Sequence, residues 1–223
     1  MLSYTLTMGF VSRLALVVTA FAGHSFTAPT SASAKYCDEI TGVCYSEISV
    51  GVAPITWRIA IPAVEEGPFD VLLQVVAPKT VGWTGIAWGG GMLYNPISLG
   101  WANGNSTMAA ARFATAHVQP EVYEAANHTV LQGSTANATH WTLTTLCQGC
   151  STWIHNGGAR EALDPGATAA SFAFAASAVP PVDPADPLSP FGIHSEHGIF
   201  TLDLAAAKSE EFNSWVEKLE VKP

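Results

Sequence analysis

The stretch WTGIAWGGGMLYNPISLGWANGN, residues 83–105, decides how the rest of the chain is read. It opens as an apolar strand, breaks at Gly89, Gly90 and Gly91, presents Met92, and resumes as an apolar run over residues 97–101. A glycine run lets backbone pass close to something bulky and flat. A methionine directly after such a break is either core filler or a soft ligand.

Outward from this stretch the chain reads as short strands. Residues 47–60 place Ile48, Val50, Val52, Ile55, Trp57 and Ile59 at roughly period two, and VLLQVVA at 71–77 suits a strand buried on both faces. Further strand-like runs fall at 108–113, 129–131, 140–146 and 199–202. Residues 170–178 (ASFAFAASA) fit strand or helix by periodicity; Phe172 and Phe174 alternate and Val179-Pro180-Pro181 stops the run, which favours strand. VDPADPLSP at 182–190 is a loop, and 204–219 reads as a helix with Leu204, Ala207, Phe212, Trp215 and Leu219 near one face. Many short strands with Gly/Pro turns predict an all-β fold, an antiparallel two-sheet β-sandwich with a short C-terminal helix. Residues 35–223 form one domain on this reading.

Only 12% of residues are charged and the formal net charge is −9, which argues against nucleic acid and against an anionic membrane surface as partners. Residues 1–34 read as a secretory signal peptide. Arg13 precedes a short apolar run at 14–22, and Ala32-Ser33-Ala34 has the form of a cleavage site. The run is too short to span a bilayer. The expected location is therefore secreted and extracellular. There, the even set Cys37, Cys44, Cys147 and Cys150 reads as disulfides, with the local pairing Cys37–Cys44 and Cys147–Cys150 favoured among three possibilities. Asn105, Asn127 and Asn137 each begin an Asn-x-Ser/Thr glycosylation signal.

Most chemical motifs can be set aside. Cys147-Gln-Gly-Cys150 is followed by Ser151 where covalent haem attachment needs histidine, and Cys37 and Cys44 have the wrong spacing to complete a zinc site. The βαβ context of a thiol redox site is missing, so a structural disulfide is the expected role. The histidines after residue 35 are His117, His128, His140, His155, His194 and His197, with no H-E-x-x-H or H-x-H; surface or satisfied roles should cover at least four of them. No serine elbow or phosphate loop occurs, and Glu65-Glu66 and Glu210-Glu211 read as solvated surface. What remains is Met92 and a histidine. A thioether and an imidazole can hold haem iron from two sides, but composition alone leaves core filler open for Met92.

Several stretches together resemble the haem b cytochrome domain of fungal cellobiose dehydrogenases, a DOMON-type sandwich. They are WTGIAWGGGM at 83–92, GWANGN at 100–105, RFAT at 112–115, THW at 139–141, CQGC at 147–150 and the segment 191–204. The resemblance covers roughly residues 36–215. It implies haem b at one end of a two-sheet sandwich, with one propionate edge near solvent. It implies Met92 as one axial iron ligand and His194, by its distance from the glycine of GIFTLD at 198–203, as the other, with His197 the runner-up. It also implies a Cys147–Cys150 disulfide and glycines whose backbone lies against the porphyrin face. The domain would be an electron carrier rather than an enzyme, lacking the flavin dehydrogenase domain of longer family members. It would take electrons from a flavin dehydrogenase and pass them to an acceptor such as a copper polysaccharide monooxygenase. The rival reading is a carbohydrate-binding sandwich without haem, its seven tryptophans forming a stacking platform.

Overall fold

The structure is a computed structural model and describes Met1 and residues 32–220. Most of the expected signal peptide, residues 1–34, lies outside the described residues. The chain opens with four strands of one sheet, β1 (Ala34–Cys37), β2 (Cys44–Val50), β3 (Ile55–Pro62) and β4 (Val71–Pro78). It crosses to a second sheet for β5 (Trp83–Ala87), β6 (Pro96–Asn103), β7 (Ser106–Phe113) and β8 (Glu121–Val122). It returns for β9 (Asn127–Val130), β10 (Thr135–Ala136) and β11 (His140–Gln148), then makes a side hairpin of β12 (Thr152–Ile154) and β13 (Arg160–Ala162). The second sheet is completed by β14 (Ala170–Ser177) and β15 (Glu196–Leu202), and β16 (Lys208–Ser209) and α1 (Phe212–Leu219) close the chain.

The first sheet runs β1-β2-β3-β4-β11-β10, with β9 on β11 and β16 beside β3; the second runs β15-β14-β5-β6-β7-β8. All pairings are antiparallel except β16 with β3. The expected all-β sandwich is therefore present, and among the described residues no helix is long and apolar enough to cross a membrane.

Strand alternation sorts side chains into three apolar layers. Between the sheets lie Trp57, Ile59 and Leu73 from the first and Ile86, Phe172 and Phe200 from the second. Outside the first sheet, Phe212, Trp215 and Leu219 of α1 cover Tyr45, Ala60 and Leu72. Outside the second sheet is a third layer, Trp83, Ala87, Ile97, Leu99, Trp101 and Ala110, and among the described residues no helix covers it.

Two expectations need correction. The run 47–60 is a hairpin, because residues 51–54 turn with Gly51 at φ +93°, a left-handed conformation suited to glycine. The helix begins only at Phe212. Its expected first half is bends and turns around the two-residue β16: Ala207 O accepts Ile61 N and Ser209 O accepts Ala63 N, so that backbone is spent on β3 and the residue after it. Leu204 and Ala207 are buried as expected, but by the sheet. Both disulfides form with the local pairing, and Asn105, Asn127 and Asn137 are all exposed.

Candidate functional site

The uncovered outer face of the second sheet carries a cavity of about 660 Å³, within the range of cofactor pockets. Its floor is made of small residues in register: Ala173 opposite Ala87, and Ala175 opposite Gly85. Larger neighbours, Trp83, Ile97 and Leu99, wall the depression. A Cβ on Gly85 would lie 2.5 Å from Leu99 Cδ2, so a side chain there would displace the Leu99 tip that walls the cavity.

Two loops deliver the ligand candidates to opposite ends of this floor. Met92 sits in the β5–β6 loop, beyond the Ala87–Ala173 pair. His194 sits at the end of the β14–β15 connection, where Ser195 N donates to Ala176 O. Residues about a hundred positions apart in sequence thus line one cavity. Met108 packs on the same face without lining it.

The β14–β15 connection is held as a strap. Five prolines between residues 180 and 190 deny it regular structure. Trp101 Nε1 donates to Pro184 O at 2.9 Å and Arg112 Nη2 to Pro187 O at 2.8 Å, tying it to β6 and β7. Arg112 is buried, and burial pulls its guanidinium below the ordinary arginine value while nearby Asp186 opposes that shift. Past the strap, Phe191 packs edge-on against Trp83 at 4.9 Å and closes one wall.

The two histidine candidates both line the cavity, with rings 4.8 Å apart and near perpendicular. His194 is half-buried; His197, at the start of β15, is exposed. Burial, and secondly the neighbouring His197, push His194 below the usual imidazole value. That favours the neutral ring, the form with a lone pair to give to a metal. His194 Nδ1 is moreover buried without a hydrogen-bond partner among the described residues, and so is Trp83 Nε1 on the cavity wall.

The mouth lies between residues 117–120 and 191–199, where His117, Gln119, Ile193 and His197 are exposed. Among the described residues, no Lys, Arg, Asp or Glu lines the cavity. Three of the six histidines therefore line one site, one more than the expected background of surface roles leaves free. His117 carries no sequence signal beyond being a histidine, and Phe191 none beyond following a proline.

The three glycines divide their work. Gly90 and Gly91 line the cavity, and Gly90 has φ +79°. Gly89 faces a second cleft of about 420 Å³ behind the loop, where a Cβ would lie 1.9 Å from Asn95 Oδ1. Only part of the run is available to lie against a bound group.

The other candidates fall elsewhere. Cys147 and Cys150 are buried between the sheets, with Ser98 Oγ 3.6 Å from Cys150 Sγ and Trp88 Nε1 donating to Ser98 at 2.8 Å. His128 lies within 4.8 Å of both sulfurs, but the disulfide leaves no thiolate for a metal. The tryptophan platform does not exist: all seven indoles are buried, none more than 7% exposed.

The family described as the cytochrome domain of cellobiose dehydrogenase matches residues 36–214. A pyrroloquinoline quinone-dependent pyranose dehydrogenase of Coprinopsis cinerea is 28% identical over 191 residues, covering 85% of this chain but 26% of its own length. The chain thus spans about a quarter of the curated relatives it matches. Among solved structures, the cytochrome b domain of Coprinopsis cinerea pyranose dehydrogenase superposes with a TM-score of 0.76 at 26% identity, covering 85% of this chain and 96% of the other. The cytochrome domain of Myriococcum thermophilum cellobiose dehydrogenase gives 0.76 at 20% identity, covering 86% and 98%, a likeness of fold. With nearly the whole sandwich matched, the chain belongs to the family of cellobiose dehydrogenase cytochrome domains.

Proposed function

We propose that this domain is an extracellular one-electron carrier that holds haem b in the outer-face cavity, with Met92 and His194 as axial ligands. One observation carries the reading: a thioether and an imidazole whose neutral form burial favours line opposite ends of one apolar cavity that, among the described residues, no charged side chain lines. The donor set fits haem iron, and Met/His ligation raises the reduction potential. When bound, haem b supplies a ferric–ferrous couple. Trp83, Leu99 and Phe191 exclude water from the cavity walls, and the strap holds His194 at its position. His117 and Gln119 offer hydrogen bonds at the mouth.

The electron donor on this reading is a sugar-oxidising dehydrogenase, flavin- or quinone-dependent, and the acceptor an extracellular copper polysaccharide monooxygenase. Two disulfides favour the extracellular location. The exposed Asn105, Asn127 and Asn137 are free to carry glycans. The test is to load the protein with haem and record oxidised and reduced absorption spectra. A low-spin spectrum that sharpens on reduction is expected; no haem uptake, or a purely high-spin spectrum, sinks the proposal.

A further inference from the structure

We infer that Asn95 is the positioning residue for Met92, and this rests on the haem reading above. Asn95 is 6% exposed, and its side-chain Nδ2 donates to Gly91 O at 2.9 Å and to Leu93 O at 3.0 Å. Those are the carbonyls immediately before and after Met92. An amide nitrogen with two hydrogens can satisfy both at once, which a hydroxyl or a carboxylate cannot.

The backbone needs such a clamp. Gly90 and Tyr94 on either side of Met92 have φ +79° and +60°, and the second is a conformation a tyrosine seldom adopts. Strained positions persist only where their surroundings over-determine them. The loop's other hydrogen bonds anchor its ends: Trp88 N to Pro96 O, Gly90 N to Ala87 O and Tyr94 N to Ala114 O. Among these contacts, Asn95 alone reaches the carbonyls on both sides of the ligand.

Gly89 completes the device. Asn95 Oδ1 lies against Gly89, where any Cβ would sit 1.9 Å away. The first glycine of the run is therefore required by the clamp, and the clamp fixes the segment that presents the thioether.

The experiment uses haem-loaded protein carrying Asn95→Asp, which keeps the shape but loses both donors, and Asn95→Ser, which loses the reach. Haem content should hold, since His194 is untouched. The ratio of Met-bound to Met-free iron should fall about thirtyfold, from the loss of two hydrogen bonds. The readouts are a low-spin to high-spin change in absorption and a lower reduction potential. If both variants keep the wild-type spectrum and potential while losing thermal stability, Asn95 is merely structural and the inference is overturned. Should neither variant fold, the side-chain NH₂ signals of Asn95 in the labelled wild-type protein decide. Slow solvent exchange, with a shift between ferric and ferrous states, supports the clamp; fast exchange and no shift overturn it. Wild-type protein that takes up no haem sinks the haem reading and this inference together, whereas normal wild-type haem with indifferent variants sinks the inference alone.

Discussion

Ala175→Leu separates the cavity from the sandwich that carries it. Ala175 lies mid-floor, opposite Gly85 on one neighbouring strand and His197 on the other. Its Cβ points into a depression of about 660 Å³, so three added carbons meet empty space instead of packed neighbours. At about 0.8 kcal/mol per buried CH₂ the ceiling is about 2.4 kcal/mol of added stability. Ala175 is only half-buried, which lowers the expectation to about 1 kcal/mol. For a domain of this length that raises the melting temperature of haem-free protein by about 2–4 °C. The same carbons stand where a flat cofactor would lie, so haem uptake should be lost. Two assays on one sample decide the matter: thermal unfolding of haem-free protein by circular dichroism, and haem titration followed by absorbance. Most small-to-large changes in a core destabilise by about 1–3 kcal/mol, so stability kept or gained together with haem lost is a signature of an open cavity. Normal low-spin haem uptake by Ala175→Leu would show that the cofactor lies elsewhere, and a melting temperature several degrees below wild type would show that the outer face is packed.

Other outcomes follow from the same geometry. His194→Ala should abolish low-spin haem while His197→Ala keeps it; the reverse result in a haem titration reassigns the ligand to His197. Burial pushes His128 down to about 4 from an ordinary 6.5, so the unfolded chain takes the proton first. Stability is then fully present above about pH 6.5 and falls as pH drops towards 4. The gap sets a ceiling of about 3 kcal/mol, and the part-exposed ring brings the expectation to about 2 kcal/mol. Urea unfolding at pH 7 and 4.5 should show this loss in wild type and a clearly smaller one in His128→Asn; equal losses refute the assignment. Arg112→Met removes the bond to Pro187 O, at a cost of about 2 kcal/mol for a charged donor, and should open the strap to limited proteolysis within residues 182–190. Replacing Cys37 and Cys44 by serine releases a loop of sequence separation 7, worth about 2 kcal/mol on loop-closure grounds; an unchanged melting temperature refutes that figure.

The fold was legible wherever local pattern and tertiary demand agree. VLLQVVA at 71–77 is a strand because both its faces are covered, and the alternation of Phe172 and Phe174 survives because both point between the sheets. The reading of 204–219 as one helix fails because β3 recruits the backbone of Ala207 and Ser209, a long-range demand that periodicity does not encode. The glycine break and the resemblance singled out Met92, which lines the cavity; its role as a ligand belongs to the proposal. His194 needed the resemblance, since His194 and His197 differ in burial and not in residue type. Asn95 and His117 were missed for another reason: their roles come from a hydrogen-bond direction and from a loop carried to the mouth, neither of which leaves a repeat or a spacing. The role given to Gly89 was misjudged because a glycine admits close approach by anything, and here the near neighbour is the chain's own Asn95.

The cavity lies on the far side of the second sheet from the layer that joins the two sheets. Trp57, Phe172 and Phe200 meet there without help from any bound group. On the proposed function, folding and cofactor loading would therefore be separable events. A sandwich whose core does not include the cavity could be made, matured and transported first and charged with the proposed haem afterwards. Scarcity of haem would then yield a reserve of competent apoprotein instead of misfolded chains.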